Sequence, residues 1–378
     1  MKYYTLLFIV FLAFFSCQSK EDSTEIDPDA IPELVIVDSL VIDRLTLPNL
    51  LDVKPDHSEF LFYDWKTSEF LIISKSGEIL ITADLAKDGK NSMDAGYFLA
   101  AKFGVDDEVL VHTVSGIYTY DSEFNLKNKK KNDFELSTRT IGGSKAFETI
   151  GNYLFTFSVE EMDRQTLMEA DYYSIAYPFI TIRDMDDFVI INRDTIPEES
   201  KMAKDPGFYM SMEPTVKLHE GKLFMLYPYS PEIYVYDIPS LKLIDSWSLT
   251  LGENFKEAEP SETKDPTAYI SIMKASPYVD FVFSNDYMLA AYKNGIPTDE
   301  LAKITMENIG SEESGAIIRK FRFNNNYQVY KGRKLLWEGD WGVRLSSFRD
   351  LIFASYKPGE DPNAVEKDVQ TLYFYELK

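Results

Sequence analysis

The sequence predicts an all-β fold, a β-propeller of six blades whose ring is closed by an N-terminal strand. Three observations carry this prediction: a short aromatic strand pattern recurs along the chain, polar turns follow several of its copies, and the shortest intervals between copies equal the length of a propeller blade. Hydrophobic side chains make up 45% of the 378 residues, so the chain has ample material for a core.

The recurring pattern is an apolar strand with aromatic residues two positions apart. Three copies align without gaps, at residues 117–121 (IYTYD), 233–237 (IYVYD) and 372–376 (LYFYE). Residues two apart share one face of a strand, so the tyrosines line one face and aliphatic residues line the other. Because both faces are apolar, the pattern indicates a strand held between stacked sheets.

Weaker copies bring the number of units to six. They lie at residues 70–74, 179–183 and 327–330. Apolar runs precede most copies, and several copies are followed by a polar turn and another short strand, so each unit is a three- or four-stranded meander. The intervals from 70 to 117 and from 327 to 372, which are 47 and 45 residues, match a blade of roughly 40 to 50 residues.

The longer intervals require insertions, for which residues 252–274 and 296–315 are the candidates. If a further blade lies near residues 281–283, the count becomes seven. A pair of β-sandwiches is the alternative architecture.

The two ends of the chain predict how the ring closes. The last copy of the pattern ends the sequence, so the final blade has no outer strand of its own, while residues 33–42 form a strand-like run ahead of the first blade. If this run completes the final blade, the ring has no long exposed edge. We therefore predict a propeller domain over residues 33–378.

The N-terminus is that of an exported protein. Lys2 is followed by an apolar run and then by Ser16 and Cys17, which is the pattern of a secretory signal. The run covers 13 residues even when it is counted from Tyr3, whereas a transmembrane helix needs about 20. An uncleaved membrane anchor is therefore the poorer interpretation.

Cys17 is the only cysteine of the chain, and its position resembles a lipobox. This resemblance implies a signal peptide over residues 1–16 and a lipid on Cys17; the alternative is an ordinary signal peptide with a chance cysteine. Because no second cysteine exists, the mature fold has neither a disulfide nor a thiol nucleophile.

Residues 17–32 are polar and acidic, which predicts a flexible tether. Within it, Lys20, Glu21 and Asp22 resemble the signal that sends some Gram-negative lipoproteins to the cell surface. This predicts a lipid-anchored protein of the outer membrane that faces the outside; a solvated linker facing the periplasm is the alternative.

The net charge of −23 opposes binding to nucleic acid, which is itself anionic. One basic cluster, Lys127 with Lys129, Lys130 and Lys131, is predicted to be the solvated end of a hairpin.

The strand copies and the lipobox together resemble the TolB-like six-bladed propeller lipoproteins of Gram-negative bacteria, many of which have no assigned function. The resemblance covers most of the mature chain. It implies the fold and the envelope location but no activity.

The sequence contains no motif for catalysis, a metal or a cofactor. Its three histidines are scattered without ligand spacing, and His112 is expected to be a strand residue rather than a base. No serine-nucleophile, zinc-protease or phosphate-loop motif occurs. We therefore assign no catalytic residue, no metal and no cofactor.

Binding is the function that remains. The turns between the second and third strands of each blade share one rim with the links between blades, and two such turns contain Trp65 and Tyr229. These rings could stack on a sugar or a peptide side chain, although packing between blades is the alternative for each. The sequence thus predicts a lipid-anchored envelope propeller that binds a glycan, peptide or partner protein. The rival is a hydrolase or lyase that uses carboxylates in the central funnel.

Replacing Cys17 tests the lipid anchor. Radiolabelled palmitate should enter the wild-type protein and the control variant Ser19→Ala, and should not enter Cys17→Ala, because only Cys17 carries a thiol. Equal labelling of Cys17→Ala would contradict the prediction.

Overall fold

A computed structural model describes residues 31–93, 98–113, 115–131, 145, 147–157, 180–209, 213–262, 266–360 and 369–378. Cys17 and most of the predicted tether lie outside the described residues. Residues Pro32–Lys378 make up one compact unit. No helix among the described residues is long and apolar enough to cross a membrane.

The chain forms six antiparallel sheets of four strands each, and their first strands pack side by side around a central axis. Blades 1 to 5 are β2 to β5, β6 to β9, β10 to β13, β14 to β17 and β18 to β21, and blade 6 combines β22, β23 and β24 with β1. The strands are β1 (Leu34–Ile42), β2 (Asn49–Val53), β3 (Glu59–Asp64), β4 (Glu69–Ser74), β5 (Ile79–Ala83), β6 (Phe98–Phe103), β7 (Val109–Thr113), β8 (Gly116–Tyr120), β9 (Leu126–Lys131), β10 (Phe147–Ile150), β11 (Tyr153–Phe157), β12 (Ile180–Asp184), β13 (Ile190–Asp194), β14 (Thr215–His219), β15 (Lys222–Leu226), β16 (Glu232–Tyr236), β17 (Leu243–Ser248), β18 (Tyr278–Ser284), β19 (Tyr287–Tyr292), β20 (Asn326–Lys331), β21 (Lys334–Gly339), β22 (Ser346–Phe348), β23 (Leu351–Ala354) and β24 (Gln370–Leu377).

The six copies of the strand pattern are the third strands of the six blades, namely β4, β8, β12, β16, β20 and β24. Most of their aromatic residues are buried, although Tyr373 of β24 is only partly so, and Tyr118, Tyr120, Tyr234 and Tyr236 are fully enclosed. A third strand has a sheet neighbour on each side and a further blade against each face. This double burial is why the apolar pattern is strongest there.

The prediction of six blades closed by the N-terminal strand is confirmed. β1 pairs with β24 from Leu34↔Leu377 to Ile42↔Gln370. The amide of Glu33 donates to the carbonyl of Lys378 at 2.8 Å, and the amide of Lys378 donates back at 3.0 Å. Residues 281–283 belong to β18, the first strand of blade 5, so they do not form a seventh blade.

Because strands alternate in direction, each blade places its second-to-third turn and its link to the next blade on one face, here called the linker face. The other turns lie on the opposite, hairpin face. The helices of the described residues all lie in connections of the linker face: α1 (Lys201–Lys204), α2 (Pro266–Ser271), a 3-10 helix (Ile272–Lys274), α3 (Thr298–Leu301) and α4 (Glu312–Arg322).

The basic cluster of blade 2 was predicted to be a hairpin end, and this is wrong. Lys127 and Lys129 to Lys131 lie in β9, the outer strand of the blade. An outer strand has one face in water, which leaves room for a run of solvated lysines.

Candidate functional site

A ring of buried polar side chains surrounds the axis of the propeller, one from each first strand. In order around the axis, this axial ring consists of Asp52, Lys102, Glu148, Lys217, Asp280 and Ser347. Acidic and basic residues alternate through the first five positions. Each residue is at most 5% exposed, so the charges must be satisfied inside the protein.

Lys102 joins the acids of the two neighbouring blades. Its Nζ lies 3.0 Å from Oε2 of Glu148 and 3.6 Å from Oδ1 of Asp52. Arg349, which follows β22, contacts the neighbouring blade 1: its Nη2 donates to Oδ2 of Asp52 at 2.9 Å and its Nε to the carbonyl of Val53 at 2.7 Å. This guanidinium ties blade 6 to blade 1 at the hairpin-face end of the channel.

The other half of the axial ring is organised around Asp280. Its Oδ2 accepts from the Ser347 amide at 3.0 Å and from the Ser347 hydroxyl at 2.8 Å. Nζ of Lys145 lies 2.5 Å from the same Asp280 oxygen, Oδ2. Lys217 donates to the Ser347 hydroxyl at 2.8 Å, which links blade 4 directly to blade 6 across the axis.

The pKa values in the ring follow from these contacts. Burial alone raises the pKa of the Glu148 carboxyl, but the charges of Lys102 and Arg349 outweigh burial and hold it below its usual value. Burial likewise raises the pKa of Asp280, and Lys145 and Lys217 reverse the effect. Both carboxyls are therefore ionised at neutral pH, which is the wrong state for a general acid.

The axial ring contains a lysine whose pKa is lowered, and it has little free space. Burial lowers the pKa of Lys217 to about 8, although the charge of Asp280 opposes this shift. Beside Asp280 and Ser347 lies a cavity of about 10 Å³, which is room for about one water molecule and not for a substrate. The ring is thus a packed ion-pair network.

Trp65 lies on the linker face in the turn between β3 and β4, and half of its side chain is exposed. Its ring stacks on Phe98 at 5.5 Å and meets the edge of Tyr63 at 4.7 Å. Asp64 holds the turn by accepting from the amide of Lys66 at 2.9 Å and pairing with Arg44 at 3.0 Å. The indole is therefore fixed while part of it stays open to a ligand.

Tyr229 also lies in a linker-face connection, but it is only 4% exposed. Its ring stacks on Tyr209 at 6.0 Å, and its hydroxyl meets Arg322. Tyr229 therefore packs inside the protein, as the alternative interpretation holds. Trp65 is in blade 1 and Tyr229 in the connection of blade 4, on opposite sides of the ring, so the structure does not bring them together.

The histidines do not form a site with one another. His112 is a β7 residue stacked on Phe147 at 5.2 Å, and burial lowers its pKa to about 4, so it is neutral and structural as expected. His57 pairs with Asp350 at 2.9 Å in a cleft of about 340 Å³ on the hairpin face. Among the described residues, no three His, Cys, Asp or Glu side chains are grouped to hold a metal ion.

Comparison with known proteins identifies the fold and no family. No protein-family model matches the chain, and no curated protein matches its sequence. A member of the DUF4221 family from Bacteroides vulgatus superposes with a TM-score of 0.61 at 12% identity, covering 92% of this chain and 98% of that one. A Bacteroides fragilis protein assigned as exported gives 0.54 at 13% identity, with coverages of 94% and 98%. These likenesses show a shared fold alone.

The acid stability of Glu148→Gln tests the axial ring. A carboxyl whose pKa is lowered by folding stabilises the protein above its unfolded pKa of about 4.3, and this contribution is lost as the pH falls below that value. Urea unfolding should show Glu148→Gln to be less stable than wild type by about 3–5 kcal/mol at pH 7, because Lys102 and Arg349 lose their partner.

The difference between the two proteins should shrink as the pH is lowered towards 3. The exposed control Glu123→Gln should follow wild type at every pH. A difference for Glu148→Gln that stays constant between pH 7 and pH 3 would show that Glu148 is not held ionised by its neighbours.

Proposed function

We propose that this protein is an outer-membrane lipoprotein, anchored through Cys17, whose propeller binds a glycan, peptide or partner protein on its linker face. The observation that carries the proposal is the mutual pairing of the channel charges. Lys102, Arg349, Lys145 and Lys217 each contact an axial acid, so the described charges of the channel are already paired, and the cavity beside Asp280 leaves little space for a ligand.

The linker face, in contrast, has the features of a recognition surface. Irregular connections carry all of the helices of the described residues, and Trp65 presents a ring that is half exposed and held by its neighbours. A fixed aromatic ring gives contact area at low entropic cost. Binding sites commonly lie on loops that a rigid scaffold positions, as these are.

The location rests on the N-terminal sequence. The resemblance to TolB-like propeller lipoproteins, the lipobox at Cys17 and the Lys20-Glu21-Asp22 run all support export and anchoring. The likeness to a Bacteroides fragilis protein assigned as exported agrees with this location.

Catalysis in the funnel is the rival function, and the channel does not favour it. A glycosidase-type mechanism needs one carboxyl that is protonated at working pH. The pKa values of Glu148 and Asp280 are lowered instead, and both groups are enclosed.

Glycan and peptide arrays probed with residues Pro32–Lys378 test the proposal. We expect saturable binding to at least one ligand class without turnover. Trp65→Ala should weaken that binding about tenfold, because a stacking contact is lost. Leu80→Ala, which removes another exposed apolar side chain of the same blade, is the control and should bind as wild type.

Turnover is assayed on every ligand that binds. Product formation that Glu148→Gln or Asp280→Asn abolishes, in a variant that stays folded, would overturn the proposal in favour of the carboxylate enzyme.

A further inference from the structure

Three basic residues lie in connections of the linker face around blade 5, and none of them forms an ion pair with an acid of the described residues. Lys293 directly follows β19, Arg322 ends α4, and Arg344 lies in the link from β21 to β22. These three residues are here called the cation cluster. In a chain whose net charge is −23, such a grouping is a local exception.

Backbone pairing and side-chain hydrogen bonds bring the three residues together. Tyr292 pairs with Asn326 in the β19–β20 ladder, which sets Lys293 opposite Asn325 at the end of the sheet. The side-chain amide of Asn325 donates to the carbonyl of Leu345 at 3.4 Å. The hydroxyl of Tyr327 accepts from the Leu345 amide at 2.7 Å and donates to the Val343 carbonyl at 2.9 Å, so Arg344 is held beside them.

The contacts of the cation cluster are with neutral groups. Lys293 Nζ donates to the Phe323 carbonyl at 2.9 Å, and Arg322 Nη2 donates to the carbonyls of Met273 and Ala275 at 2.7 and 2.9 Å. Arg322 Nε is buried without a hydrogen-bond partner. None of the three forms an ion pair with a described acid, whereas Lys102 and Arg349 in the channel each contact two.

Two acids of this region, Glu338 and Asp340, accept hydrogen bonds from neutral groups and pair with none of the three. Glu338 accepts from the hydroxyl of Tyr292. Asp340 accepts from the amide of Gly342 at 2.7 Å and from Asn324 at 3.4 Å. The neighbouring Tyr229 contacts Arg322 through its hydroxyl, and burial raises the pKa of that hydroxyl, so it stays neutral.

Burial and the two neighbouring guanidinium charges act on the ionisation of Lys293. Burial, followed by the charges of Arg344 and Arg322, lowers its pKa to about 7. A bound anion would relieve this repulsion and return Lys293 to its protonated state. Arg344 is exposed on the linker face, so the cluster is open to a ligand from solvent.

We propose that the cation cluster of Lys293, Arg322 and Arg344 is an anion-binding site for a ligand that carries a carboxylate or a phosphate group. Guanidinium groups suit both, since their planar donors can bind two oxygens at once. The site lies on a different part of the linker face from Trp65 and does not depend on it, so it goes beyond the function proposed above.

Titration calorimetry on the full-length lipoprotein in detergent tests the site with matched ligand pairs. Galacturonate is compared with galactose, and glucose 6-phosphate with glucose, which separates carboxylate from phosphate recognition. At least one acidic member should bind saturably, and neither neutral member should bind. Arg344→Met should weaken binding by roughly tenfold or more, because a charged hydrogen bond is lost.

Lys320→Met is the control, since it removes one exposed linker-face charge that is paired with Glu300 and lies outside the cluster. It should bind as wild type, as should Trp65→Ala. Equal weakening by Lys320→Met and Arg344→Met would show only a general effect of net charge and would overturn the proposal, as would equal binding of galacturonate and galactose. Thermal unfolding confirms that each variant is folded.

Proton uptake identifies Lys293 as part of the site. At pH 7, binding should take up as much as about half a proton, because the anion raises the pKa of a half-protonated amine. The apparent heat should therefore differ between bis-tris and Tris, which have different ionisation enthalpies. Lys293→Met should abolish this difference. If the heats of wild type are the same in both buffers, Lys293 does not respond to the ligand and the proposed site is wrong.

Discussion

Six strands that converge on one axis must either fill the centre with apolar side chains or pair the charges they bring there, because water has little access to it. This protein takes the second course. Its axial ring places acids and bases in alternation, so each buried charge has an opposite charge in a neighbouring blade. Lys102 between Asp52 and Glu148 is the clearest case. Removing one member would leave its neighbours charged and unpaired, so the six blades depend on one another at the axis.

The hairpin face and the linker face therefore differ in role. At the hairpin face, Arg349 binds Asp52 and the carbonyls of Val53 and Phe103, which joins blade 6 to blades 1 and 2. The linker face is free of this constraint, because its connections only have to join one blade to the next. The chain uses that freedom for its helices, for the exposed ring of Trp65 and for the cation cluster. A rigid centre held by ion pairs thus supports a surface of irregular connections on which recognition can take place.

The fold could be predicted because its signal is local. Each copy of the aromatic pattern lies in a few consecutive residues, and every copy proved to be a third strand, where burial on both faces imposes the pattern. The pairing of β1 with β24 followed from the missing outer strand. The axial ring was not predicted, because its members are about one blade apart in sequence and only closure brings them together. A signal was present: each of the first five first strands carries one charged residue within an apolar run, as Asp280 does in β18.

The candidate sites were also hard to predict, because their residues are far apart in sequence and come together only in the fold. Trp65 and Tyr229 occupy equivalent connections, yet one is exposed and the other is buried, because Tyr209 from a different connection covers Tyr229. Arg344 lies 51 residues after Lys293 in the sequence, and nothing local marks either as part of a cluster. Exposure and grouping of this kind depend on how separate insertions pack, which neither composition nor periodicity describes.

A double-mutant cycle on Lys102 and Glu148 tests the central claim, that the axial charges hold one another. Free energies of unfolding in urea at pH 7 are compared for wild type, Lys102→Met, Glu148→Gln and the double variant. If the two charges satisfy each other, the double variant should be more stable than the sum of the single effects predicts, with a coupling energy of about 2–3 kcal/mol. Additive effects, with a coupling energy near zero, would contradict the account.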